Sequence, residues 1–343
     1  MTLSEAIEHL LGRKALDRTQ AREVMDQIMA GEATPVQIAG VVIALRAKGE
    51  TVEEMAGFVD SMRAHATPLT LPVEAIDTCG TGGDRAGTFN ISTAAALVAA
   101  GAGLAVAKHG NRAATSRCGS ADVLEALGVD IMLGPQGVRS CVVEAGMGFC
   151  FAPTFHPAMR HAGPARRELG VRTVFNVLGP LANPAHVKRQ ALGVGAPGLA
   201  PLMVRVLRDL GHDRALVFYG EDGLDELSTV TRSRVFELRD GQVTEFELDP
   251  SSLGLPPARP EDLRGATPPE NAALIRRIFD GEKGPPRDVV MLNAAAAMIA
   301  GGRARDWREG LSVAAESIDK GAAGERLDRL VAASKKARSA EPV

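Results

Sequence analysis

Apolar side chains recur at helical spacing through residues 1–65, behind four sites that are typical of helix starts. At each site a Thr or Asp precedes a Glu or Gln by three positions, as in the capping box that satisfies free N–H groups. The four pairs are Thr2 with Glu5, Asp17 with Gln20, Thr34 with Gln37, and Thr51 with Glu54. The pattern predicts four helices, whose apolar stripes form a small core and in part a face for a second copy of the chain.

The periodicity changes after Pro68 and Pro72, from helical spacing to short apolar runs between helix patterns. The predicted strands are 73–76, 104–107, 129–133, 147–152 and 215–219, and a predicted hairpin joins 235–238 to 243–246. The predicted helices begin near Ser92 and cover 120–127, 138–145, 157–169, 202–210 and 288–299, with a frayed tail after Lys335. Strands that alternate with helices predict an α/β fold with a mostly parallel sheet covered on both faces.

Composition and charge narrow the class of protein. The chain has 343 residues with 45% apolar and 24% charged side chains, which is typical of a globular protein. Its net charge of −3 gives no electrostatic case for general nucleic-acid binding. The four cysteines lack metal-like spacing, so we interpret them as reduced thiols of a cytoplasmic protein. Charged residues interrupt the first apolar positions and polar residues interrupt the run 86–107, so neither a secretory signal nor a membrane span is expected.

The stretch D-T-C-G-T-G-G-D, residues 77–84, carries three glycines between a strand pattern and a helix pattern. Because glycine has no Cβ and turns either way, backbone N–H groups in such a loop can close on an anion. The following N-I-S-T, residues 90–93, places capping residues at a helix start, whose N–H groups and dipole also favour an anion. The loop is either a phosphate cradle or an ordinary tight turn, and its residues alone do not decide.

Three further stretches carry candidate chemistry, each with a plainer alternative. Lys108 begins K-H-G-N-R-A-A-T-S, whose ammonium, amide and hydroxyl groups suit a phosphate, unless the stretch is a solvated loop. Asp225 and Glu226 suit Mg²⁺ together with substrate phosphates, unless they belong to an acidic surface loop. Arg166 or its neighbour Arg167 suits a carboxylate, unless both lie on a helix surface.

Two common nucleotide-binding loops are excluded by spacing. The glycines stand at positions 80, 82 and 83, and position 85 is arginine, so the dinucleotide fingerprint G-x-G-x-x-G is not met. No Lys-Ser or Lys-Thr pair follows the glycines, as a Walker phosphate loop requires.

Together these stretches resemble the anthranilate phosphoribosyltransferase family of tryptophan biosynthesis, over nearly the whole chain. The motifs that carry the resemblance are G-T-G-G-D at 80–84, N-I-S-T at 90–93, K-H-G-N at 108–111, G-S-A-D-V-L-E-A-L-G at 119–128, F-H-P-A-M-R-H at 155–161, F-N-V-L-G-P-L-A-N-P at 175–184 and D-E at 225–226. One such motif is weak evidence, whereas the ordered set is specific.

The resemblance implies a fold of the nucleoside phosphorylase and phosphoribosyltransferase type. It implies a helical domain at 1–70, joined in space by a helical segment near 156–184, and a large α/β domain at 71–343. It implies a cytoplasmic homodimer that forms through the helical domain, with no nucleic-acid or membrane partner. The implied reaction transfers the phosphoribosyl group of 5-phosphoribosyl 1-pyrophosphate (PRPP) to the amine of anthranilate, with Mg²⁺, and releases pyrophosphate.

The resemblance also assigns site residues in three groups. PRPP would be bound by Gly80, Gly83, Asp84, Thr88, Asn90, Ile91, Ser92, Thr93, Lys108, His109, Gly110, Asn111, Arg112, Ala113, Ala114, Thr115, Ser116 and Ser120. Anthranilate would be bound by Gly80, Asn111 and Arg166, and the metal by Ser92, Asp225 and Glu226. No general acid or base is assigned; Lys108 and Arg166 would act through charge and positioning.

One stretch departs from the family pattern, and two other functions stay open. Ala113 removes a hydroxyl that the family usually places at the phosphate site, whereas backbone N–H contacts there would not depend on the side chain. A pyrimidine nucleoside phosphorylase shares the fold but uses free phosphate and a nucleoside. A non-catalytic relative would bind nucleic acid in the same cleft. The glycine loop, K-H-G-N and the Arg166 helix favour the transferase; the net charge and the intact Asp225–Glu226 pair oppose the nucleic-acid binder.

Overall fold

The N-terminal part of the chain folds as four helices in the computed structural model, which describes residues 1–84, 86–113 and 117–341. They are α1 Leu3–Leu11, α2 Arg18–Met29, α3 Pro35–Lys48 and α4 Val52–Ala64. The four predicted capping boxes are confirmed, because the side chains of Thr2, Asp17, Thr34 and Thr51 each accept from the backbone three residues on. Pro35 opens α3, where its missing N–H costs nothing.

The remaining elements alternate between strands and helices before the chain ends in four helices. In order they are β1 Ala75–Gly80, α5 Ile91–Gly101, β2 Ala105–Gly110, α6 Ser120–Ala126, α7 Pro135–Ala145, β3 Met147–Phe151, α8 Ala152–Phe155, α9 Gly163–Leu169, β4 Arg189–Gly193, α10 Ala200–Asp209, β5 Arg214–Gly220, β6 Ser233–Arg239, β7 Gln242–Leu248, α11 Pro268–Phe279, α12 Pro285–Ala300, α13 Trp307–Asp319 and α14 Ala322–Ala340. Within the described ranges, no helix is both long and apolar enough to cross a membrane.

The strands form one sheet in the order β3-β2-β1-β4-β5-β6-β7. The first five of these run parallel, and β6 and β7 form the antiparallel hairpin that the sequence predicts. The sequence pattern did not reveal β4, because that strand is five residues long and begins with Arg189 and Gln190. In a parallel sheet the carboxyl ends share one edge, so the loops after β1, β2, β4 and β5 meet there.

A separate layer of helices covers each face of the sheet. On one face, α5 and α12 pack against the central strands, with α7, α13 and α14 beside them. On the other face, α10 packs against the sheet and against α4, and one apolar cluster joins the strands to all four N-terminal helices. Val174 and Phe175 are buried in that same cluster. The segment after α9 therefore shares a core with the N-terminal helices.

The predicted strand 129–133 is wrong. Val129, Ile131 and Leu133 are buried while Met132 is exposed, which is the alternation of a strand. However, the N–H groups of Asp130 and Gly134 donate to Ser334 Oγ and to the Glu341 carboxylate, at 3.0 and 3.1 Å. Side chains from the C-terminal region take the place of a neighbouring strand here.

Several boundaries also differ from the sequence prediction; β1, for example, runs to Gly80 rather than to position 76, so residues 77–80 belong to the strand. The tail after Lys335 is helical to Ala340, and Glu341 accepts from the N–H groups of Gly134 and Gly137 at the start of α7. A carboxylate is favoured there because it faces the positive end of the helix dipole. The predicted helix 157–169 is a 3₁₀ turn, Pro157–His161, followed by α9, because Pro164 has no N–H with which to continue the preceding turn.

Candidate active site

Four of the five parallel strands end in a glycine at the carboxyl edge of the sheet. The glycines are Gly80 of β1, Gly110 of β2, Gly193 of β4 and Gly220 of β5. A Cβ at Gly80 would overlap the Asp225 carboxylate, and one at Gly193 would overlap the Asp225 backbone carbonyl. These glycines therefore let the loop after β5 lie directly against the ends of β1 and β4.

The glycine loop after β1 turns through two left-handed residues, Gly82 at φ +67° and Gly83 at φ +77°. Its conformation is held from two sides. Gly82 N donates to Asp225 Oδ2 at 2.6 Å, and the Arg172 guanidinium donates to Gly82 O and Gly83 O at 3.1 Å each. Hydrogen bonds thus fix the glycine loop to the loop after β5 on one side and to the segment after α9 on the other.

The start of α5 faces the same edge, next to the glycine loop. Asn90 makes no side-chain cap, so its predicted capping role is wrong; its amide instead contacts Cys118 O at 3.1 Å and Asn271 at 3.0 Å. Ser92 N donates to Glu226 Oε1 at 3.1 Å. A carboxylate from the β5 loop thus binds the N–H group that a helix start offers to an anion.

Three carboxyl groups gather at this point. Burial and the nearby Asp84 carboxylate raise the pKa of Asp225 to about 7, and Asp84 lies within hydrogen-bonding reach of it. Burial, followed by the charge of Asp225, raises the pKa of Glu226 well above its usual range. Closely spaced carboxylates that resist ionisation are a set of hard oxygen ligands whose repulsion a divalent cation would relieve.

This donor set fits Mg²⁺ better than a metal held by protein alone. Among the described residues, no group of three or more His, Cys, Asp or Glu side chains is arranged to hold a metal ion. Mg²⁺ usually takes one or two carboxylates and completes its shell with water and substrate phosphates. Asp225 and Glu226 supply such a pair, with the backbone N–H groups of Gly82 and Ser92 beside them.

Lys108 lies beneath the site, where its side chain is 1% exposed. Its ammonium donates to Thr78 O, and its charge opposes the rise in pKa of both Asp77 and Glu226. Burial nevertheless raises the pKa of Asp77 to about 6. Asp77 accepts from His109 N at 3.1 Å and from Asn183 Nδ2 at 2.8 Å. Lys108 is therefore a buried charge that compensates carboxylates under the site.

The loop after β2 is organised by Asp122 of α6. Its Oδ2 accepts from Ala113 N at 2.9 Å and from Gly119 N at 2.8 Å, so it closes the loop across its two ends. The Arg112 guanidinium pairs with Asp122 and Glu125 at 2.9 and 2.8 Å. The backbone N–H of Ala113, which was expected to be free for a phosphate, is taken by a carboxylate in this arrangement.

Arg166 is exposed on α9, and its guanidinium stands 5.7 Å from the centre of the Phe175 ring. Among the described residues, no carboxylate lies within ion-pair distance of it. A planar guanidinium supported by an aromatic face suits a carboxylate ligand. Arg167 beside it is also exposed, but no aromatic ring is recorded beneath it in the part of the chain that the structure describes.

Comparison with known proteins decides the family. The glycosyl transferase family a/b domain matches residues 73–324, and the helical bundle domain of that family matches residues 4–66. The anthranilate phosphoribosyltransferase of Thermomicrobium roseum is 53% identical over 333 residues, which are 96% of each chain. The chain belongs to the anthranilate phosphoribosyltransferase family.

Solved structures of anthranilate phosphoribosyltransferases share the whole architecture. The crystal structure from Thermus thermophilus matches with a TM-score of 0.92 at 47% identity, over 96% of this chain and 99% of that one. The enzyme from Saccharomyces cerevisiae in complex with PRPP and Mg matches with a TM-score of 0.89 at 29% identity, over 97% and 98% of the two chains. The predicted helical domain and α/β domain with a mostly parallel sheet are confirmed.

About half of the residues that the family resemblance assigned lie along the carboxyl edge. They are Gly80, Gly83, Asp84, Ser92, Gly110, Asn111, Ser120, Asp225 and Glu226, with Lys108 beneath them. Ser120 Oγ donates to Asn111 O at 3.3 Å, which fixes the loop after β2 against the start of α6. Ala114, Thr115 and Ser116 lie outside the described residues.

Several assigned side chains do not face this edge. Ile91, Thr93 and His109 are buried, and His109 Nδ1 lies 3.1 Å from Gly179 O. The Thr93 hydroxyl and His109 Nε2 have no hydrogen-bond partner among the described residues. Thr88 is paired with Arg264 in an isolated antiparallel bridge, and Arg112 is neutralised by α6.

Three side chains that shape the site were missed by the sequence reasoning. Asp77 and Asp122 lie inside the motifs given above, but the partners of Asp77 are distant in sequence, and those of Asp122 are backbone N–H groups that carry no residue-type signal. Arg172 carries no signal of its own, because a lone arginine in a loop follows no pattern. Only the fold shows that it contacts the glycine loop.

Proposed function

We propose that this chain transfers the phosphoribosyl group of PRPP to the amine of anthranilate, giving N-(5-phosphoribosyl)anthranilate and pyrophosphate. One observation carries the proposal. A glycine loop, a helix start and an acidic pair meet at one sheet edge, in a chain that belongs to the anthranilate phosphoribosyltransferase family. The reaction is a step of tryptophan biosynthesis.

PRPP would place its pyrophosphate against the glycine loop and the start of α5. Gly80, Gly83, Asp84 and the 90–93 segment would surround it, and Asn111 with Ser120 would approach from the end of β2. Asp225, Glu226 and Ser92 would hold Mg²⁺; the yeast relative in complex with PRPP and Mg supports the use of the metal. When bound, Mg²⁺ supplies a positive charge that stabilises the departing pyrophosphate.

The chemistry needs charge stabilisation more than proton transfer. As the bond between ribose C1 and pyrophosphate lengthens, negative charge collects on the leaving group and positive charge on the ribose. Loop N–H groups and the buried charge of Lys108 are fixed before the reaction, so they need no reorganisation in the transition state. The aryl amine of anthranilate is neutral near pH 7 and needs no strong base. Much of the rate would come from positioning.

Anthranilate would be oriented by its carboxylate. Arg166 is exposed, supported by Phe175 and free of a carboxylate partner among the described residues. Asn111 and Gly80 would complete the acceptor site on the side of the sheet. Gly80 would then stand where the two substrates meet.

The domain division and the assembly belong to the same proposal. We place the helical domain at 1–70 with the segment near 156–184, and the large domain at 71–343. The support is the apolar cluster that joins Val174 and Phe175 to the N-terminal helices. The chain would form a homodimer through the helical domain, where Leu11, Val36 and Ile43 are exposed. The four cysteines are buried and none of them is in a disulfide, which agrees with a cytoplasmic protein.

The reaction is tested by following anthranilate fluorescence. The signal should fall only when PRPP and Mg²⁺ are both present, and chelation of the metal should stop the reaction. Release of a free base from a pyrimidine nucleoside by phosphate, without loss of anthranilate, would contradict the proposal and favour the phosphorylase.

The acceptor site is tested by Arg166→Ala, with Arg167→Ala as the matched control. Loss of a bidentate contact to a carboxylate should raise the KM for anthranilate by about tenfold or more, and leave the KM for PRPP within about twofold. Arg167→Ala should behave like the unmodified chain. Equal changes in both KM values for Arg166→Ala would remove it from the acceptor site.

A further inference from the structure

Arg172 holds the glycine loop through its carbonyl groups. Its Nη1 donates to Gly83 O and its Nη2 to Gly82 O, both at 3.1 Å. A Cβ at Gly83 would overlap this guanidinium, and the φ of +77° at this position also favours glycine. No carboxylate of the described residues lies within ion-pair distance of Arg172. The Arg172 guanidinium therefore binds the loop backbone, and its positive charge stays beside the loop.

Because of the geometry of the peptide bond, the contact of Arg172 with the two carbonyls also fixes the direction of two N–H groups. In a trans peptide the C=O of one residue and the N–H of the next point in opposite directions, and the described chain has no cis peptide bonds. Binding of the Gly82 and Gly83 carbonyls by Arg172 thus turns the N–H groups of Gly83 and Asp84 to the opposite side. Neither N–H has an acceptor recorded among the described residues.

Arg172 is itself anchored in the part of the chain that shares a core with the N-terminal helices. The Arg46 guanidinium, in the last turn of α3, donates to Arg172 O. The next residue, Thr173, is buried and donates from its N–H to Asn176 Oδ1 at 2.9 Å. Phe175 in that same turn supports Arg166. The short segment 172–175 therefore contains both the Phe175 ring that supports Arg166 and the guanidinium that binds the glycine loop.

From these contacts we infer that Arg172 is a positioning residue for PRPP. It aims the N–H groups of Gly83 and Asp84 at the pyrophosphate, from the same segment that supports Arg166. The inference rests on the proposed function for the identity of the anion. It assigns Arg172 no contact with substrate and no part in bond making or breaking.

The first test compares Arg172→Ala with Arg172→Lys, because lysine keeps the charge but cannot bond two carbonyls as a planar fork does. Both variants should raise the KM for PRPP by at least about tenfold, since each loses a charge-assisted hydrogen bond to the loop. The KM for anthranilate should stay within about twofold. Guanidinium ion should restore the PRPP KM of Arg172→Ala toward that of the unmodified chain, and methylammonium should not.

A second readout does not depend on the reaction. Amide hydrogen exchange across residues 80–84 should quicken in Arg172→Ala without any added ligand, and calorimetric binding of pyrophosphate with Mg²⁺ should weaken by a similar factor to the PRPP KM. If the unmodified chain does not consume anthranilate, the proposed function fails, and the exchange and pyrophosphate measurements still decide the role of Arg172.

Three results would overturn the inference. Wild-type behaviour of Arg172→Lys would show that charge alone matters. Unchanged exchange at residues 80–84 together with weaker pyrophosphate binding would indicate direct contact with the anion. Equal changes in the two KM values would indicate general damage to the fold. Arg46→Ala, which breaks the link to α3 and leaves the fork intact, should change the PRPP KM in the same direction but by less than Arg172→Ala.

Discussion

At the scale of single residues, three buried histidines stand as neutral side chains. Burial lowers the pKa of His109 to about 3, of His156 to about 4 and of His212 to about 3. In an unfolded chain each has a pKa of about 6.5. The unfolded state therefore binds more protons below that pH, so each histidine's contribution to stability is complete above about pH 6.5 and is lost as pH falls toward its folded value. The raised pKa values of Asp77 and Asp225 act in the opposite sense over that range.

His212 allows this effect to be isolated, because it precedes β5 and so lies at the edge opposite the site. Between pH 6 and 4, the unmodified chain should lose stability relative to His212→Gln by up to about 1.4 kcal/mol per pH unit. The measurement is the free energy of unfolding in denaturant at a series of pH values. The difference between the two proteins should be constant above about pH 7.5; a constant difference down to pH 4 would mean that His212 is not neutral in the folded chain.

At the scale of elements, one carboxylate of the short helix α6 holds the loop after β2 in its conformation. Asp122 accepts from the backbone at Ala113 and at Gly119 and pairs with Arg112. Among the described residues, the Glu125 side chain, one turn later, pairs with the Arg112 guanidinium alone. Substitution of each acid in turn therefore distinguishes an effect on the loop backbone from an effect on Arg112.

Asp122→Ala should raise the KM for PRPP about tenfold, because two loop N–H groups lose their acceptor and the loop loses its conformation. Glu125→Ala, the matched control, removes one ion-pair partner of Arg112 and should change that KM by less than about twofold. Steady-state kinetics with PRPP varied at saturating anthranilate measures both. An equal effect of the two substitutions would assign the change to Arg112 rather than to the loop.

Local sequence patterns predicted the elements where neighbours in the chain decide the outcome. The helix starts at Thr2, Asp17, Thr34 and Thr51 were predicted because a capping box lies within four residues. The strand predicted at 129–133 was wrong because its backbone partners, Ser334 and Glu341, lie more than two hundred residues away. Burial alone did not reveal that difference.

At the scale of the whole molecule, the exposed apolar side chains of the N-terminal helices are the support for a dimer. Val36 and Ile43 lie seven residues apart on α3, hence on one face, and are 80% and 39% exposed. Leu11 at the end of α1 is 62% exposed. A second copy of the helical domain would cover them.

Val36→Asp should dissociate the proposed dimer, because a buried unpaired carboxylate costs several kcal/mol. Fold stability should be kept, because Val36 stands in the first turn of α3, where the helix dipole favours an acid. Val143→Asp is the matched control, since Val143 is 60% exposed on α7 of the large domain. Light scattering after gel filtration measures the mass. A dimer that survives Val36→Asp and dissociates with Val143→Asp would place the interface on α7.

The sequence by itself determined the kinds of chemistry available, because glycine spacing, capping boxes and paired acids act over a few residues. It also determined the family, through the ordered motifs from Gly80 to Glu226. Only the tertiary structure decided which of those groups meet. It buried Lys108 under the site and placed Asp225 on the glycine loop. It also brought Arg172 to the carbonyls of Gly82 and Gly83. These contacts join residues up to 143 positions apart, and nothing in the local pattern of either partner records the other.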